Sequence, residues 1–411
     1  MKILIVNNYF YNRGGDCTYM FSLKKLLKKN GHNVVIFSMN HPDNYDCEYS
    51  DHFVSYINYA EEIKDKKLSS AVKVIKRTVY STEARQKIEA LIQKEKPDIA
   101  HLQNIHHHIT PSILYVLRKY NIPIVWTLHD YTIICPNTSF LAKGLICERC
   151  KKRKFYWPMI TRCKKESFSA STMAAFETII HRMMGVYKLV DIFIAPSMFL
   201  RNKFIEYGFN ENKIIHIDHF IDFPVIEDNV SPEDYYFFVG RITQEKGVKT
   251  LIDAAINVNL SHLKIAGGGP FMNELVAYTR RRDKNNIVEF LGHLSREDLF
   301  DLYRNSRFVI VPSEWYENSG LTIFEAFACG KPVIGANIGG IPELIKDHVR
   351  GLIFRSGDAE ALSFSIMHML KNPDHVRLMG DNAKDYIKNH LNGETHYRKL
   401  LNTYMEALSS H

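Results

Sequence analysis

Two glutamates eight positions apart, Glu317 and Glu325, enclose a short polar loop between an apolar run and a helix-like pattern. An ionised carboxylate only accepts hydrogen bonds, so hydroxyl groups are its natural partners. Gly320 lies between the two, just before apolar residues resume at helical spacing. Unpaired backbone N–H groups and the positive end of a helix dipole would meet there, which favours an anionic phosphate. The stretch 308–326 thus predicts a strand, a ligand-binding loop and a helix.

Two cations and several glycines fall at the ends of other predicted strands. Gly240 and Arg241 end an apolar run, and Lys246 follows at the start of the next helix. Arg binds phosphate as a fork and Lys as a point charge, so the two can converge on one diphosphate. Glycines at 267–269 and 339–340 repeat the pattern, because a residue without a side chain lets a ligand approach the backbone. Isolated glutamates are usually solvated surface residues, but this context favours a site.

In this order, the stretches resemble the retaining glycosyltransferases of family 4, which have the GT-B architecture. The resemblance covers nearly the whole chain, and its most specific mark is Glu317 and Glu325 at E-x7-E spacing. It implies transfer of a sugar from a nucleoside diphosphate sugar to an acceptor hydroxyl, with retention and without a catalytic metal. Glu325 would hold the ribose and Glu317 the transferred sugar, while Arg241 and Lys246 would stabilise the leaving diphosphate.

The resemblance also implies donor-site residues elsewhere. Gly14 and Gly15 follow the first strand in a loop expected beside the donor, and His129 ends a strand where a family histidine holds the donor sugar. Backbone groups near His293 would read the base, which leaves the base undetermined. The expected catalytic residues are His129, Glu317, Arg241 and Lys246. The expected donor-binding residues are Gly14, Gly15, Gly240, Arg241, Lys246, Gly268, His293, Glu317, Asn318, Gly320, Leu321 and Glu325.

Four of the seven cysteines fall close together, at Cys135, Cys147, Cys150 and Cys163. The two-residue gap at the centre lets neighbouring thiolates share one metal. In a reducing compartment the spacing predicts a structural zinc, with an iron–sulfur cluster or incidental thiols as the alternatives. A site of four thiolates has no open position, so its expected role is to shape the acceptor side.

Three consecutive histidines at 106–108 also suggest a metal at first sight. Neighbouring side chains on extended backbone point to alternating faces, which argues against a shared ion. Since parallel sheets bind ligands at the carboxyl ends of their strands, one or two of these histidines are expected to contact the acceptor.

Positive charge is concentrated in the first half of the chain. Residues 1–200 carry 29 basic and 17 acidic residues, whereas residues 201–411 carry 24 and 28. This predicts an anionic partner for the first half: a membrane surface, an acidic glycan or a phosphate-bearing lipid. The helix expected at 16–30 has leucines on one face and lysines on the other, which fits a packed surface helix or a membrane-binding one, and 64–85 is also basic.

No run of about 18 apolar residues predicts a membrane span. The first apolar residues give way to polar ones at Asn7, as in a β-strand rather than a signal peptide. The expected location is cytoplasmic, peripheral at the inner face of the membrane. Expected partners are the sugar donor and a glycan or lipid-linked acceptor for cell-surface polysaccharide or lipid-linked glycan synthesis, without nucleic acid.

Alternating strands and helices in both halves predict an α/β protein with two doubly wound parallel-sheet domains facing a central cleft. The acceptor-binding domain is expected at 1–197, with a cysteine-rich insertion at 135–163. The donor-binding domain is expected at 198–393, and the final helix at 394–411 is expected to pack back on the first domain. At the linker the family often has Pro-Asn-Gly, whereas this chain has Asp218, His219 and Phe220, so linker contact with substrate is in doubt.

Three other functions remain open at this point. A nucleotide-sugar epimerase or a phosphorylase can share the GT-B architecture, but the acid/base carboxylates or cofactor lysine that they need have no distinctive signature here. A non-catalytic nucleotide-sugar or nucleic-acid binding module would explain the basic first half but not the set of donor-site motifs in the second.

Overall fold

The computed structural model describes residues 1–57, 78–222 and 231–411. The chain forms two compact units. The first comprises Met1–Lys143, Cys147–His219 and His396–His411, and the second comprises Gly144–Ile146 and Phe220–Thr395. In the described ranges, none of the helices has both the length and the apolar character needed to cross a membrane.

Sixteen strands are numbered here along the described chain. They are β1 (Lys2–Val6), β2 (Asn33–Phe37), β3 (Met39–Asn40), β4 (Val54–Ser55), β5 (Ile99–Leu102), β6 (Ile124–Thr127), β7 (Leu141–Ala142), β8 (Leu145–Ile146), β9 (Ile192–Ala195), β10 (Ile214–His216), β11 (Tyr235–Val239), β12 (His262–Ala266), β13 (Val288–Gly292), β14 (Val309–Val311), β15 (Val333–Ala336) and β16 (Gly351–Phe354).

The α-helices connect these strands. They are α1 (Gly15–Lys29), α2 (Thr82–Glu95), α3 (Ile113–Lys119), α4 (Trp157–Thr161), α5 (Phe168–Met183), α6 (Met198–Glu206), α7 (Val248–Val258), α8 (Met272–Arg282), α9 (Arg296–Asn305), α10 (Leu321–Ala328), α11 (Ile341–Ile345), α12 (Ala359–Lys371), α13 (Pro373–His390) and α14 (Gly393–Ser409).

Each unit is built on one six-stranded parallel sheet. The first sheet has the order β10-β9-β6-β5-β1-β2, and the second has the order β13-β12-β11-β14-β15-β16. In the second sheet Tyr236 and Phe238 pack into one core and Tyr235 and Phe237 into another, so both faces are covered. Two-sided burial is what requires nearly continuous apolar strands in a parallel sheet. The predicted pair of doubly wound α/β domains is confirmed.

The predicted domain boundary after residue 197 was placed too early. Ile214–His216 pairs in parallel with β9, so α6 and β10 belong to the first unit, which runs on to His219. A strand of three residues can join either neighbouring sheet, and its hydrogen-bonding partner decides which. Residues 396–411, which include most of the final helix, belong to the first unit, as expected, and residues 144–146 of the cysteine-rich insertion are grouped with the second.

Candidate active site

A tight turn before α7 is packed against the loop that follows β14. The turn Gln244–Lys246 ends at Gly247, whose φ of +68° is a left-handed value that favours glycine. A Cβ on Gly247 would overlap the carbonyl oxygen of Pro312. The backbone N–H of Glu314 also donates to the carbonyl of Glu245 at 2.8 Å. These contacts fix the position of the Lys246 side chain relative to the loop.

Lys246 forms an ion pair with Glu317, and this pair is the centre of the site. The same carboxylate oxygen, Oε1, accepts hydrogen bonds from the Ser313 hydroxyl and the Trp315 indole, both at 3.0 Å. The Lys246 ammonium also lies 5.3 Å from the centre of the Trp315 ring. All three donors use one oxygen, so Oε2 of Glu317 is the atom that these bonds leave for a ligand.

The Glu317 carboxylate is held in its charged form. Burial by itself would raise its pKa, but the charge of Lys246 and the hydrogen bonds from Lys246, Trp315 and Ser313 outweigh burial and lower the pKa below the usual glutamate value. A charged acceptor is therefore ready for a hydroxyl donor at neutral pH.

The backbone of Glu317 is fixed from the other side by two glycines. The N–H of Gly340 donates to the Glu317 carbonyl at 2.7 Å. Gly339 has a φ of +61°, and a Cβ there would overlap the Glu317 backbone. The predicted glycine pair at 339–340 thus works by close approach to another part of the chain.

Glu325, the second member of the pair, has a different environment. The Tyr303 hydroxyl donates to its Oε2 at 2.8 Å. Burial raises the pKa of Glu325, and the opposing effects of Tyr303 and Arg296 do not cancel it. The two glutamates are therefore not equivalent: one is held charged by a lysine, and the other is buried beside a phenol.

Three loops meet at the carboxyl ends of β11, β12 and β13. The N–H of Ile242 donates to the Gly268 carbonyl at 2.9 Å, and the N–H of Gly267 donates to the Gly292 carbonyl at 2.6 Å. A Cβ on Gly268 would overlap the His293 ring. The structure thus brings the predicted residues Gly240, Gly268 and His293 to one sheet edge.

The start of α10 carries the other predicted donor-site residues, with Asn318 shortly before it, Gly320 at its N-cap and Leu321 as its first residue. Two hydroxyls that the sequence analysis did not single out lie in the loops before α10 and α7. Ser319 Oγ and Thr243 Oγ1 are buried, and neither has a hydrogen-bond partner within the described ranges. Since buried polar groups are normally paired, these hydroxyls are candidate ligand contacts.

Arg241 is not joined to the Lys246–Glu317 pair. Its side chain is exposed, and within the described part of the chain no hydrogen bond ties it to Glu317. Sequence reasoning also missed Ser313, Trp315 and Tyr303. Their types as hydrogen-bond donors were visible, but only the packing of the loop shows that they point at the glutamates.

In the first unit, His129 lies at the end of β6 and is oriented by Gln103. The two side chains lie 2.6 Å apart, from His129 Nε2 to Gln103 Oε1. Since Oε1 only accepts, the imidazole donates through Nε2 and keeps a lone pair on Nδ1. Burial lowers the pKa of His129, which favours this neutral form. Its ring stacks on His219 with centroids 5.3 Å apart.

A small pocket of about 10 Å³ is lined by Gln103, His129 and the adjacent Asp130, among others. This is roughly the room needed for one water molecule. Gly14 and Gly15 lie exposed at the start of α1 in the same unit.

The three adjacent histidines have separate partners. His106 is buried against the Tyr187 hydroxyl at 3.1 Å, and burial lowers its pKa to about 3. His107 lies 3.1 Å from the Glu177 carboxylate, whose charge raises the pKa of this histidine. The backbone here is a turn, with His107 at a φ of +75°, and not the extended segment that the sequence predicts, although the two side chains still reach different partners. Their contact with an acceptor stays a prediction.

The four insertion cysteines share one neighbourhood. Burial raises the pKa of Cys150, and so does charge on Cys135, Cys163 and Cys147. In a tetrahedral zinc site, sulfurs bound at about 2.3 Å would lie roughly 3.8 Å apart. Among the described residues, one group has three candidate ligand atoms all within 4.8 Å of one another, and it is not this set. The cysteines are gathered, but their sulfurs would have to move closer to bind zinc.

The basic features of the first half are described only in part. In α1, Leu23 and Leu27 are buried while Lys25, Lys28 and Lys29 are exposed, as in a packed surface helix. Most of the basic stretch 64–85 lies outside the described residues, as do residues 223–230, whereas the linker residues Asp218, His219 and Phe220 are described.

Known protein families match almost the whole chain. The Glycosyltransferase Family 4 model matches residues 13–223, and the Glycosyl transferases group 1 model matches residues 223–386. The chain is 24% identical over 427 residues to N-acetyl-alpha-D-glucosaminyl L-malate synthase from Bacillus anthracis, which covers 99% of this chain and 98% of that protein. It is 26% identical over 354 residues to an uncharacterized 42.6 kDa protein in the cps region of Klebsiella pneumoniae, which covers 84% and 87%.

Solved structures share the fold over the full length. Sucrose-phosphate synthase from Thermosynechococcus elongatus matches with a TM-score of 0.72 and 18% identity, covering 100% of both chains. Anabaena Alr3699/HepE in complex with UDP matches with a TM-score of 0.66 and 17% identity, covering 99% of this chain and 100% of that one.

Proposed function

The chain belongs to the family 4 glycosyltransferases of GT-B fold, and on that premise we propose that it transfers a sugar from a nucleoside diphosphate sugar to an acceptor hydroxyl with retention at the anomeric carbon. The observation that carries this proposal is the Lys246–Glu317 pair with its shared oxygen. It supplies a fixed cation for phosphate and a fixed carboxylate for sugar hydroxyls within one loop system.

Lys246 keeps hydrogen-bonding capacity after pairing with Glu317. An ammonium has three donors, so two remain for diphosphate oxygens. Negative charge develops on the diphosphate as the sugar–phosphate bond breaks, and a preorganised cation lowers the barrier to that step. The N–H groups at the start of α10, with the hydroxyls of Ser319 and Thr243, would add donors to the same leaving group.

The two glutamates would divide the recognition of donor hydroxyls. Oε2 of Glu317 accepts from the transferred sugar and holds its anomeric carbon in place for attack. Glu325, with one oxygen already bonded to Tyr303, accepts from the ribose. In the first unit, neutral His129 would contribute Nδ1 or the adjacent backbone to hold the donor sugar.

We propose UDP as the first donor nucleotide to test, because it is the nucleotide in the Anabaena structure of the same fold. The proposed pathway class is polysaccharide or lipid-linked glycan synthesis, which the Klebsiella relative in the cps region supports.

A basic cavity in the first unit supports the proposal that the acceptor carries an anionic group. It has a volume of about 400 Å³ and is lined by Arg153, Arg182, Lys188 and Lys213 together with Tyr187, Phe193 and Phe209. Nε of Arg182 is buried without a hydrogen-bond partner in the described ranges. Cations beside aromatic rings suit a phosphate or carboxylate carried on an apolar or sugar body.

The donor site is tested first by thermal shift with UDP, GDP, ADP, TDP and CMP. We expect one diphosphate to raise the melting temperature of the wild type and of Lys249→Met, an exposed lysine three positions along the chain, but not of Lys246→Met. Transfer is then followed with the matching sugar donor, and NMR of the product assigns the anomeric configuration. Binding without turnover would favour a binding module, a rearranged donor would favour an epimerase, and inversion at the anomeric carbon would refute the retaining mechanism.

A structural zinc at Cys135, Cys147, Cys150 and Cys163 remains part of the proposal. Four soft thiolates suit zinc, and the electrostatic effect of the other three cysteines on Cys150 supports the proposal that they lie near it. We expect Cys150→Ser, but not Cys47→Ser, a cysteine outside the insertion, to lower the zinc content of protein purified without chelator by about one per chain. Wild-type protein with less than about 0.2 zinc or iron per chain would refute the metal site.

A further inference from the structure

Three histidines of the second unit meet where α12, α13 and the turn after α11 come together. His348 lies in that turn, His368 in the last part of α12 and His375 near the start of α13. One ring nitrogen from each lies within 4.8 Å of the other two, and this is the group of candidate metal ligands found in the described residues. None of the sequence motifs pointed to it.

The spacing of the ring nitrogens fits a transition metal. His368 Nε2 and His375 Nδ1 are 3.3 Å apart. Two nitrogens bound to zinc at about 2.0–2.1 Å in a tetrahedron are separated by roughly 3.3 Å. His348 completes the set, with its ring centroid 6.0 Å from each of the other two rings.

Contacts in the surrounding chain fix the backbone that carries these histidines. The side-chain amide of Asn372 donates to the carbonyl of His368 at 2.8 Å, which fixes the break between α12 and α13. The N–H of His348 donates to the carbonyl of Gly351 at 2.8 Å. The backbone positions are therefore set by contacts that do not use the imidazoles.

A carboxylate stands next to the cluster. Asp347 Oδ2 lies 3.9 Å from His348 Nε2, while its Oδ1 accepts from the N–H of Ile353 at 2.8 Å. Carboxylates often orient metal-bound imidazoles from outside the coordination sphere. Asp347 would also supply negative charge that three neutral imidazoles lack.

We propose that His348, His368 and His375 form a zinc site with one position open to water or a further ligand. Imidazole nitrogens suit Zn²⁺ better than Mg²⁺ or Ca²⁺, which prefer oxygen ligands. The ion would link α12 and α13 to the turn after α11. Since α11 begins directly after Gly340, whose N–H holds the Glu317 carbonyl, the site would brace the glycine loop beside the candidate active site.

The test is a titration of full-length, metal-depleted protein with Zn²⁺ alone against a chromophoric chelator. The protein carries no polyhistidine tag and has the Cys150→Ser substitution, so that the insertion does not contribute. We expect one equivalent to bind, with affinity at least tenfold weaker in His368→Gln and in His375→Gln. His262→Gln, which changes an exposed histidine on β12, should bind as the parent does.

A second variant protects the test against misfolding. The His348 side chain is 62% exposed, so His348→Gln should fold normally and still lose affinity at least tenfold. Zn²⁺ should also raise the melting temperature of the parent but not of His348→Gln. Binding weaker than about 100 µM in the parent, or wild-type affinity in His348→Gln and His368→Gln, would overturn the proposal.

Discussion

At the scale of single residues, Glu317 shows how a buried carboxylate is kept charged. Removing a carboxylate from water favours its protonated form, yet three donors converge on one of its oxygens. The pKa shift therefore records a balance between burial and a specific partner. Because the folded-state pKa lies below the usual value, the interaction stabilises the folded chain above the usual glutamate titration range and is lost as the pH falls through the folded pKa.

This balance predicts a pH-dependent cost for Glu317→Gln. The substitution leaves Lys246 without its buried counter-charge, and we expect it to lower the free energy of unfolding by about 3 kcal/mol near pH 7. The difference from wild type should shrink as the pH falls through the folded-state pKa of Glu317, which Lys246 and the neighbouring donors hold below the usual glutamate value. Urea unfolding at several pH values measures the effect.

Glu289→Gln, at an exposed position on β13, is the matched control and should change the stability little at any pH. A Glu317→Gln cost that stayed constant down to acidic pH would mean that the Lys246 charge does not stabilise the carboxylate in the folded chain.

At the scale of elements, the site depends on one turn held against one loop. Gly247 brings the turn before α7 against Pro312, and this contact places a cation and a carboxylate 71 positions apart in sequence beside each other. Neither element contains the site by itself. The geometry should therefore be sensitive to changes that alter no charged group.

Gly247→Ala tests this dependence. The alanine would have to keep a left-handed backbone conformation, and its methyl group would overlap the Pro312 carbonyl. The turn therefore has to shift. We expect a loss of stability of about 3 kcal/mol or more together with loss of nucleoside diphosphate binding, measured by urea unfolding and thermal shift.

Gly292→Ala is the control for backbone strain alone. Gly292 has a similar φ of +71°, but a Cβ there meets no atom within 4 Å. Gly292→Ala should lower the free energy of unfolding by only about 1–2 kcal/mol. Equal losses of stability in the two variants would show that the approach of the turn to Pro312 does not matter.

The elements themselves were largely readable from the sequence. Short apolar β-branched runs, such as the one at 308–311, mark strands buried on both faces, and helices such as α1 and α12 follow from apolar spacing. The assignment of β10 to the first sheet could not be predicted from the sequence, because a strand of three residues carries no preference for either sheet. The Lys246–Glu317 contact and the three-histidine cluster were also invisible, since each depends on packing between distant segments.

At the scale of the whole molecule, solved structures that share the fold confirm the GT-B prediction. Charge is divided unevenly along the chain. The basic first half contains the exposed lysines of α1 and three of the four cations that line the basic cavity, the fourth being Lys213. The acidic second half contains the candidate site for an anionic donor, where local cations and N–H groups matter more than net charge. The first half is therefore the part proposed to contact an anionic surface.

We predict that the protein binds vesicles containing anionic lipid at low salt and is released as the salt concentration rises. Charge reversal at Lys25, Lys28 and Lys29 should weaken binding at least tenfold. Reversal of an equal number of exposed cations in the second half, at Arg281, Lys284 and Lys371, should have little effect. Vesicle sedimentation measures both. Binding that is absent at low salt, or equally weakened by the two triple variants, would refute a membrane-facing first half.

The indole of Trp315 gives the candidate site an optical signal of its own. The chain has three tryptophans, and the other two, Trp126 and Trp157, lie in the first unit. The emission of an indole responds to nearby charge and polarity, and Trp315 donates to Glu317 with the Lys246 ammonium close to its ring. In a chain in which Trp126 and Trp157 are replaced by phenylalanine, the tryptophan emission would therefore come from this site alone. Ligand arrival could then be followed in real time without a label.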